Sequence, residues 1–152
     1  MKKFIFIMIL SFIFLTILLY LCNIKINTTK SMPIGIYQTY NNDNILPGDI
    51  VTFNYQNVNF LKKVIAVAGD YVEIKDSQIF VNHKLIKDSQ IFKFDSNHNA
   101  LPTLSFSGVL KNNEIFVLGE HIKSFDSRYF GVLDIQKNSV KKAKKILTWS
   151  NT

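Results

Sequence analysis

Two clusters in this chain hold residue types that could do chemistry together. One is a serine followed by Met-Pro, in Thr29-Lys30-Ser31-Met32-Pro33-Ile34-Gly35-Ile36-Tyr37. The other is a lysine pair in an apolar run, Phe60-Leu61-Lys62-Lys63-Val64-Ile65-Ala66-Val67-Ala68-Gly69-Asp70. A serine hydroxyl is a weak nucleophile until a neighbouring base takes its proton. His83, His98 and His121 stand in no context resembling a Ser-His-Asp arrangement and are too scattered for a metal site. A lysine is therefore the natural base. Lysines avoid apolar strands unless exposed or paired. Burial there destabilises the ammonium and lowers its pKa from about 10.4, at about 1.36 kcal/mol per pH unit, until a neutral amine can act near neutral pH. An edge strand that uses lysines against aggregation would carry the same residues. Strand alternation leaves open which lysine serves: Phe60, Val64 and Ala66 share one face, Leu61, Ile65 and Val67 the other, and both faces are apolar.

A third cluster, Gly119-Glu120-His121-Ile122-Lys123-Ser124-Phe125-Asp126-Ser127-Arg128-Tyr129-Phe130-Gly131, packs polar groups between hydrophobic runs. Asp126 and Arg128 can pair with each other or with backbone. Ser124 can orient a neutral lysine through a hydrogen bond. As an isolated surface loop the segment would mean nothing.

Two kinds of element must position these groups. Phe4–Cys22 reads FIFIMILSFIFLTILLYLC, nineteen residues without a charge, Gly or Pro, and about twenty suffice to cross the hydrocarbon core. A cleaved secretory signal fits less well, because its apolar region would be shorter and would precede a small-x-small site, where this chain has Asn23, Ile24, Lys25 and Ile26. Nor does Cys22 follow the small residues expected before a lipidated cysteine. The expectation is an uncleaved anchor over residues 4–22, with residues 1–3 cytoplasmic. Lys2 and Lys3 on one side against Lys25 and Lys30 on the other lean only slightly that way, but a long domain translocates largely regardless of its charge.

After the anchor come short runs rich in Ile, Val, Phe and Tyr, which read as strands at Ile50–Tyr55, Asn59–Val67, Tyr71–Lys75, Gln78–Asn82 and Glu114–Leu118. Pro47-Gly48-Asp49, Gly69-Asp70 and Lys75-Asp76-Ser77 mark turns. Residues 88–113 have the weakest pattern and read as a long loop or variable insertion. No helical period follows Cys22. The chain has room for one compact unit, so residues 23–152 are expected to form a single mainly β domain, a folded or barrel-like set of sheets tethered by one helix.

A net charge of +7 could suit nucleic acid, an anionic membrane surface or solubility alone. The basic residues are dispersed apart from Lys141, Lys142, Lys144 and Lys145, and no zinc-finger, RNP-like or helix-turn-helix pattern accompanies them, so no nucleic-acid partner is expected. Cys22 is the single cysteine, which excludes an intrachain disulfide.

In order, the three clusters resemble the bacterial type I signal peptidases. That pattern is a Ser-Met-x-Pro-like loop after a membrane anchor, a Lys-Arg strand running into Pro-Gly-Asp, and a Gly-Asp-Asn … Ser-x-Asp-Ser-Arg-x-x-Gly box. Ser31-Met32-Pro33, Lys62-Lys63 … Gly69-Asp70 and Ser124 through Gly131 match it across most of residues 29–133. Within that family the chain is most similar to the conjugative-transfer peptidases of the TraF type, through Pro33-Ile34-Gly35-Ile36-Tyr37, the box and the closing Leu147-Thr148-Trp149. Ala68, Lys63, Glu120 and His121 depart from the usual proline, arginine, aspartate and asparagine.

The resemblance implies a β-rich signal-peptidase-like fold with a Ser-Lys dyad. Ser31 is then the nucleophile and Lys62 the base, because the first basic residue of the pair carries catalysis in the family. The Ser31 backbone N–H and the Thr29 hydroxyl would hold the oxyanion, Ser124 would orient the lysine, and Asp126 with Arg128 would hold the box in shape. The implied partners are the bilayer and membrane-anchored precursors with leader peptides, such as a conjugative pilin or another transfer-system protein. The implied place is the cytoplasmic membrane with the catalytic domain outside, and no metal or organic cofactor is implied. A housekeeping signal peptidase, a soluble Ser-Lys autoprotease and a catalytically silent envelope module are the alternatives.

Overall fold

The structure is a computed structural model and describes residues 2–42 and 44–149. Helix α1 spans Lys2–Leu21, and none of its side chains is buried against the rest of the protein. At about 1.5 Å per residue its twenty residues are about 30 Å long, enough to cross a bilayer, and their composition is apolar enough to do so. The helix starts two residues before the apolar run, because Lys2 and Lys3 are good helix formers. It ends one residue before Cys22. Cys22 N–H donates to the Leu18 carbonyl at 2.9 Å, and Asn23 takes a φ of 54°, the left-handed conformation that commonly closes a helix.

Eleven strands follow: β1 (Ile24–Asn27), β2 (Gly35–Tyr40), β3 (Ile50–Tyr55), β4 (Val58–Ala66), β5 (Tyr71–Lys75), β6 (Gln78–Val81), β7 (Lys84–Leu85), β8 (Ser107–Val109), β9 (Glu114–Leu118), β10 (Leu133–Asp134) and β11 (Lys141–Thr148). They form two antiparallel sheets, one of seven strands in the order β1-β2-β11-β3-β4-β9-β10 and one of four in the order β7-β6-β5-β8. The mainly β expectation is met. Strands β3, β5 and β9 lie at their expected spans, β4 is shifted by one residue at both ends, and β6 is one residue shorter at its end. Two-residue turns with both residues at positive φ, Gln56-Asn57 and Asp76-Ser77, join β3 to β4 and β5 to β6. Their twist matches that of the strands they connect.

Two groups of buried apolar residues hold the sheets. Val51, Phe53, Val64, Ile115, Val117 and Leu133 fill one side of the larger sheet. Ala66, Val72, Ile79, Leu110, Phe116 and Leu118 fill the space toward the smaller sheet. Strand β9 feeds both, with Phe116 on one side and Val117 on the other. The β4–β9 register shifts between Val64 and Ala66.

Several segments differ from expectation, among them the short strands β1, β7 and β10. The run read as loop around Pro33-Ile34-Gly35-Ile36-Tyr37 turns into β2 at Gly35. The basic run from Lys141 is strand β11, paired with both β2 and β3, yet only Ala143 in it is buried, which is why its residues carry no strand signature. Residues 88–113 include β8, which pairs with β5, and a bridge between Phe94 and Ala100, with the rest irregular. A short helix α2, Ser127–Phe130, lies within the third cluster. Asp126 caps it, accepting from the Arg128 N–H at 3.2 Å.

Candidate active site

Strand β4 separates its two lysines. Lys62 stands opposite Val51 of β3 and faces inward with Val64 and Ala66, leaving 2% of its surface exposed. Lys63 faces outward and is exposed. Burial pushes the Lys62 ammonium down from its ordinary 10.5 to about 8. The nearby Asp126 carboxylate opposes that shift and the Arg128 guanidinium adds to it. Its Nζ lies 5.3 Å from the centre of the Phe60 ring.

Ser31 sits half-buried in the turn between β1 and β2, and buried neighbours fix that turn. Met32 is fully buried, and the Tyr37 hydroxyl donates to the Pro33 carbonyl at 2.7 Å. Burial, with a further push from Glu120, raises the Tyr37 phenol above its usual value, so it stays protonated and able to donate. Asn27, at the end of β1, does more than the sequence suggested. Its Nδ2 faces the carbonyls of Thr29, Met32 and Pro33 at 2.9, 3.0 and 3.1 Å. Its Oδ1 accepts from the Thr29 N–H at 3.2 Å and from the Thr29 hydroxyl at 2.8 Å. One amide therefore shapes the whole loop around Ser31.

Ser31 and Lys62 line one cavity of about 460 Å³, together with Asn27, Thr29, Tyr37, Phe60 and Phe125. Thr29 and Ser31 hydroxyl oxygens are 3.3 Å apart. Because the Thr29 proton goes to Asn27, Ser31 is the donor in that pair. Thr29 would have to leave Asn27 before it could donate to an oxyanion.

The third cluster lies directly behind. The Ser31 carbonyl accepts from the His121 N–H at 3.3 Å, which ties the Ser31 loop to the box. Asp126 and Arg128 are fully buried and paired twice, Nε to Oδ1 at 2.8 Å and Nη2 to Oδ2 at 2.7 Å. Arg128 also donates to the carbonyls of His121, Ile122, Asp88 and Gln90, so it joins the box to the start of the irregular segment. The Asp126 Oδ2 accepts the Gly119 N–H at 2.7 Å. Ser124 is buried and its hydroxyl has no hydrogen-bond partner among the described residues, so the bond to the lysine implied by the resemblance is not made in this structure.

Gly119 is the second residue whose role the sequence hid. A Cβ built on it would overlap the Ser124 side chain and lie 2.7 Å from the Ser31 carbonyl oxygen. Only a missing side chain lets β9 run this close behind the serine. Gly119→Ala should therefore displace Ser31 and, if that serine is a nucleophile, lower cleavage at least tenfold. Overpacking of this kind costs about 1–3 kcal/mol. A thermal melt paired with a peptide-cleavage assay checks it, and wild-type values in both would show that the close approach is unimportant.

The family described as "Signal peptidase, peptidase S26" matches residues 1–149, and the chain belongs to that family. Within it, the chain is similar to the plasmid transfer protein TraF of Escherichia coli, 30% identical over 86% of each chain. It is also similar to signal peptidase I S of Bacillus subtilis, 32% identical over 53% of this chain and 47% of that one. Among solved structures, a signal peptidase I from Enterococcus faecalis superposes with a TM-score of 0.40 at 21% identity, covering 70% of this chain and 98% of the other.

Proposed function

We propose that the chain is a membrane-anchored Ser-Lys endopeptidase that removes leader peptides from translocated precursors. The observation that carries this reading is a buried lysine, its pKa lowered to about 8, lining the same cavity as a serine held in a shaped loop. Neutral Lys62 takes the Ser31 proton as the serine oxygen attacks the carbonyl of a small residue ending the leader. The Ser31 N–H, with Thr29 once released from Asn27, donates to the oxyanion. The protonated lysine then gives its proton to the leaving amine. Water, activated by the same amine, hydrolyses the acyl-enzyme.

In this reading α1 is the anchor, residues 1–3 are cytoplasmic and residues 23–152 form the external peptidase unit. Nine steps separate Cys22 from Ser31, at most about 30 Å of extended chain, so the serine stays near the bilayer where a membrane-held leader presents its cleavage site. Similarity to a plasmid transfer protein over most of both chains favours a conjugative substrate such as a pilin precursor over general secretion. The Ser124 hydroxyl without a partner is the observation that favours a silent envelope module.

One assay separates them. A leader-bearing precursor in vesicles is incubated with the wild-type protein and with Ser31→Ala, and the products are weighed by mass spectrometry. The peptidase reading expects cleavage after a small residue, at least about 10³-fold slower in the variant. An intact precursor in both reactions would support the silent module. A product heavier by one water reports hydrolysis, and one without it reports transfer to another amine.

A further inference from the structure

Beyond the Ser31 cavity lies a second hollow of about 240 Å³, walled mainly by Phe92, Phe94, Leu101, Phe125 and Tyr129, with Asp95, Ser96 and Lys123 completing the lining. Phe125 borders both hollows. Its ring stacks on Tyr129 at 5.5 Å and tilts against Phe60 at 6.4 Å, so a line of aromatic rings leads from Lys62 to this hollow. Phe94 and Phe125 keep 58% and 39% of their surface exposed, which leaves apolar area facing water at the rim.

The outer wall belongs to the irregular segment, and it is built. Arg128 holds the segment's start through the Asp88 and Gln90 carbonyls, and the Tyr129 hydroxyl accepts from the Phe92 N–H at 3.2 Å. The Asp95 carboxylate closes the following turn, accepting the N–H groups of Asn97 and Asn99 at 2.8 and 2.9 Å.

We propose that this hollow is a subsite for one large apolar side chain of the polypeptide being cut, and that residues 88–101 thereby select substrates. The proposal rests on the peptidase reading of Ser31 and Lys62. Its size suits a single side chain, since pockets for drug-sized ligands run to about 300–1,000 Å³. Its occupant follows from continuity: a chain lying over Ser31 that passes Phe125 meets the hollow next. Phe125 at its border is reached from Lys62 across one ring, 5.3 Å to Phe60 and 6.4 Å on to Phe125, a span that takes about three or four residues of extended chain at ~3.3 Å each.

The test uses labelled peptides with a small residue at the cleavage point and Phe or Ala at each position three to six residues to either side. Binding is measured to full-length Ser31→Ala protein in detergent micelles, and cleavage with the wild type. At one position Phe should tighten Kd about tenfold and raise kcat/KM by a similar factor, through KM. Phe94→Ala and Leu101→Ala, introduced separately, should each cut that advantage to about twofold or less. Equal binding of Phe and Ala peptides at every position, or an advantage that survives both substitutions, would overturn the subsite. Peptides that bind with the Phe preference yet stay uncut would uphold the subsite and remove the peptidase reading. Cleavage without any Phe preference would do the reverse.

Discussion

Lys62→Arg should leave the protein folded and unable to process a precursor, while Lys63→Arg should process it at close to the wild-type rate. Both substitutions keep the charge, so a difference between them reports on proton transfer. Arginine cannot deprotonate in a protein, and at the buried position no other neutral base would remain beside Ser31. Loss of a general base costs about 10²–10⁴-fold, and here the nucleophile loses its activation as well, so a fall of at least ~10³-fold is expected. Lys63 is exposed on the opposite side of β4 and has no path to the cavity. The pH profile carries the same information. In the proposed mechanism the active form of Lys62 is the free amine, and burial puts its pKa at about 8. Wild-type kcat/KM should therefore rise about tenfold per pH unit below that value and level off above it. Stability has the matching sign. The burial penalty of a charged Lys62 is fully present below about pH 8 and fades as pH rises from there toward its ordinary 10.5. An active Lys62→Arg enzyme would remove Lys62 from the mechanism, and inactivity confined to Lys63→Arg would transfer the role.

Arg128→Ala should give the largest loss of stability of any single change at the site. The substitution leaves Asp126 as an uncompensated charge with no exposed surface, and it releases the carbonyls of Asp88, Gln90, His121 and Ile122 together. Breaking a buried pair costs about 3–5 kcal/mol, which for a domain of this size lowers Tm by roughly 10–20 °C. Asp126→Asn should cost less, because the amide oxygen can still accept from Gly119 or Arg128. Since Asp126 stands near Lys62 and favours its charged form, its loss should also move the rising limb of the pH profile to lower pH. Melts and profiles of both variants that overlay the wild type would show that the buried pair supports nothing.

The parts of the fold legible in the sequence were those where one face is more deeply buried than the other, as in β3 and β5, and the short apolar run of β9, which is buried on both faces. Strand β11 was illegible because a central strand in hydrogen bonding is almost wholly exposed in its side chains, and KKAKKILT reads as a charged surface. The choice between Lys62 and Lys63 could not be made by alternation. Phe60, Val64 and Ala66 face the buried interior, while Leu61 and Ile65 on the other face are themselves half-covered. Ser31, the lysine pair and the Asp126–Arg128 box were visible because their residue types are unusual for their surroundings. Asn27 and Gly119 were not, since a loop-shaping amide and a close backbone approach are properties of packing, and neither residue type is out of place where it stands.

In the proposed mechanism Ser31 becomes covalently attached to the leader. Acid quenching within the first turnover, followed by digestion and mass spectrometry, tests it most directly. A leader fragment esterified to the peptide containing Ser31 is expected, present in the wild type and absent from Lys62→Arg. Accumulation of cleaved product with no such adduct, or an adduct on any other residue, would contradict it.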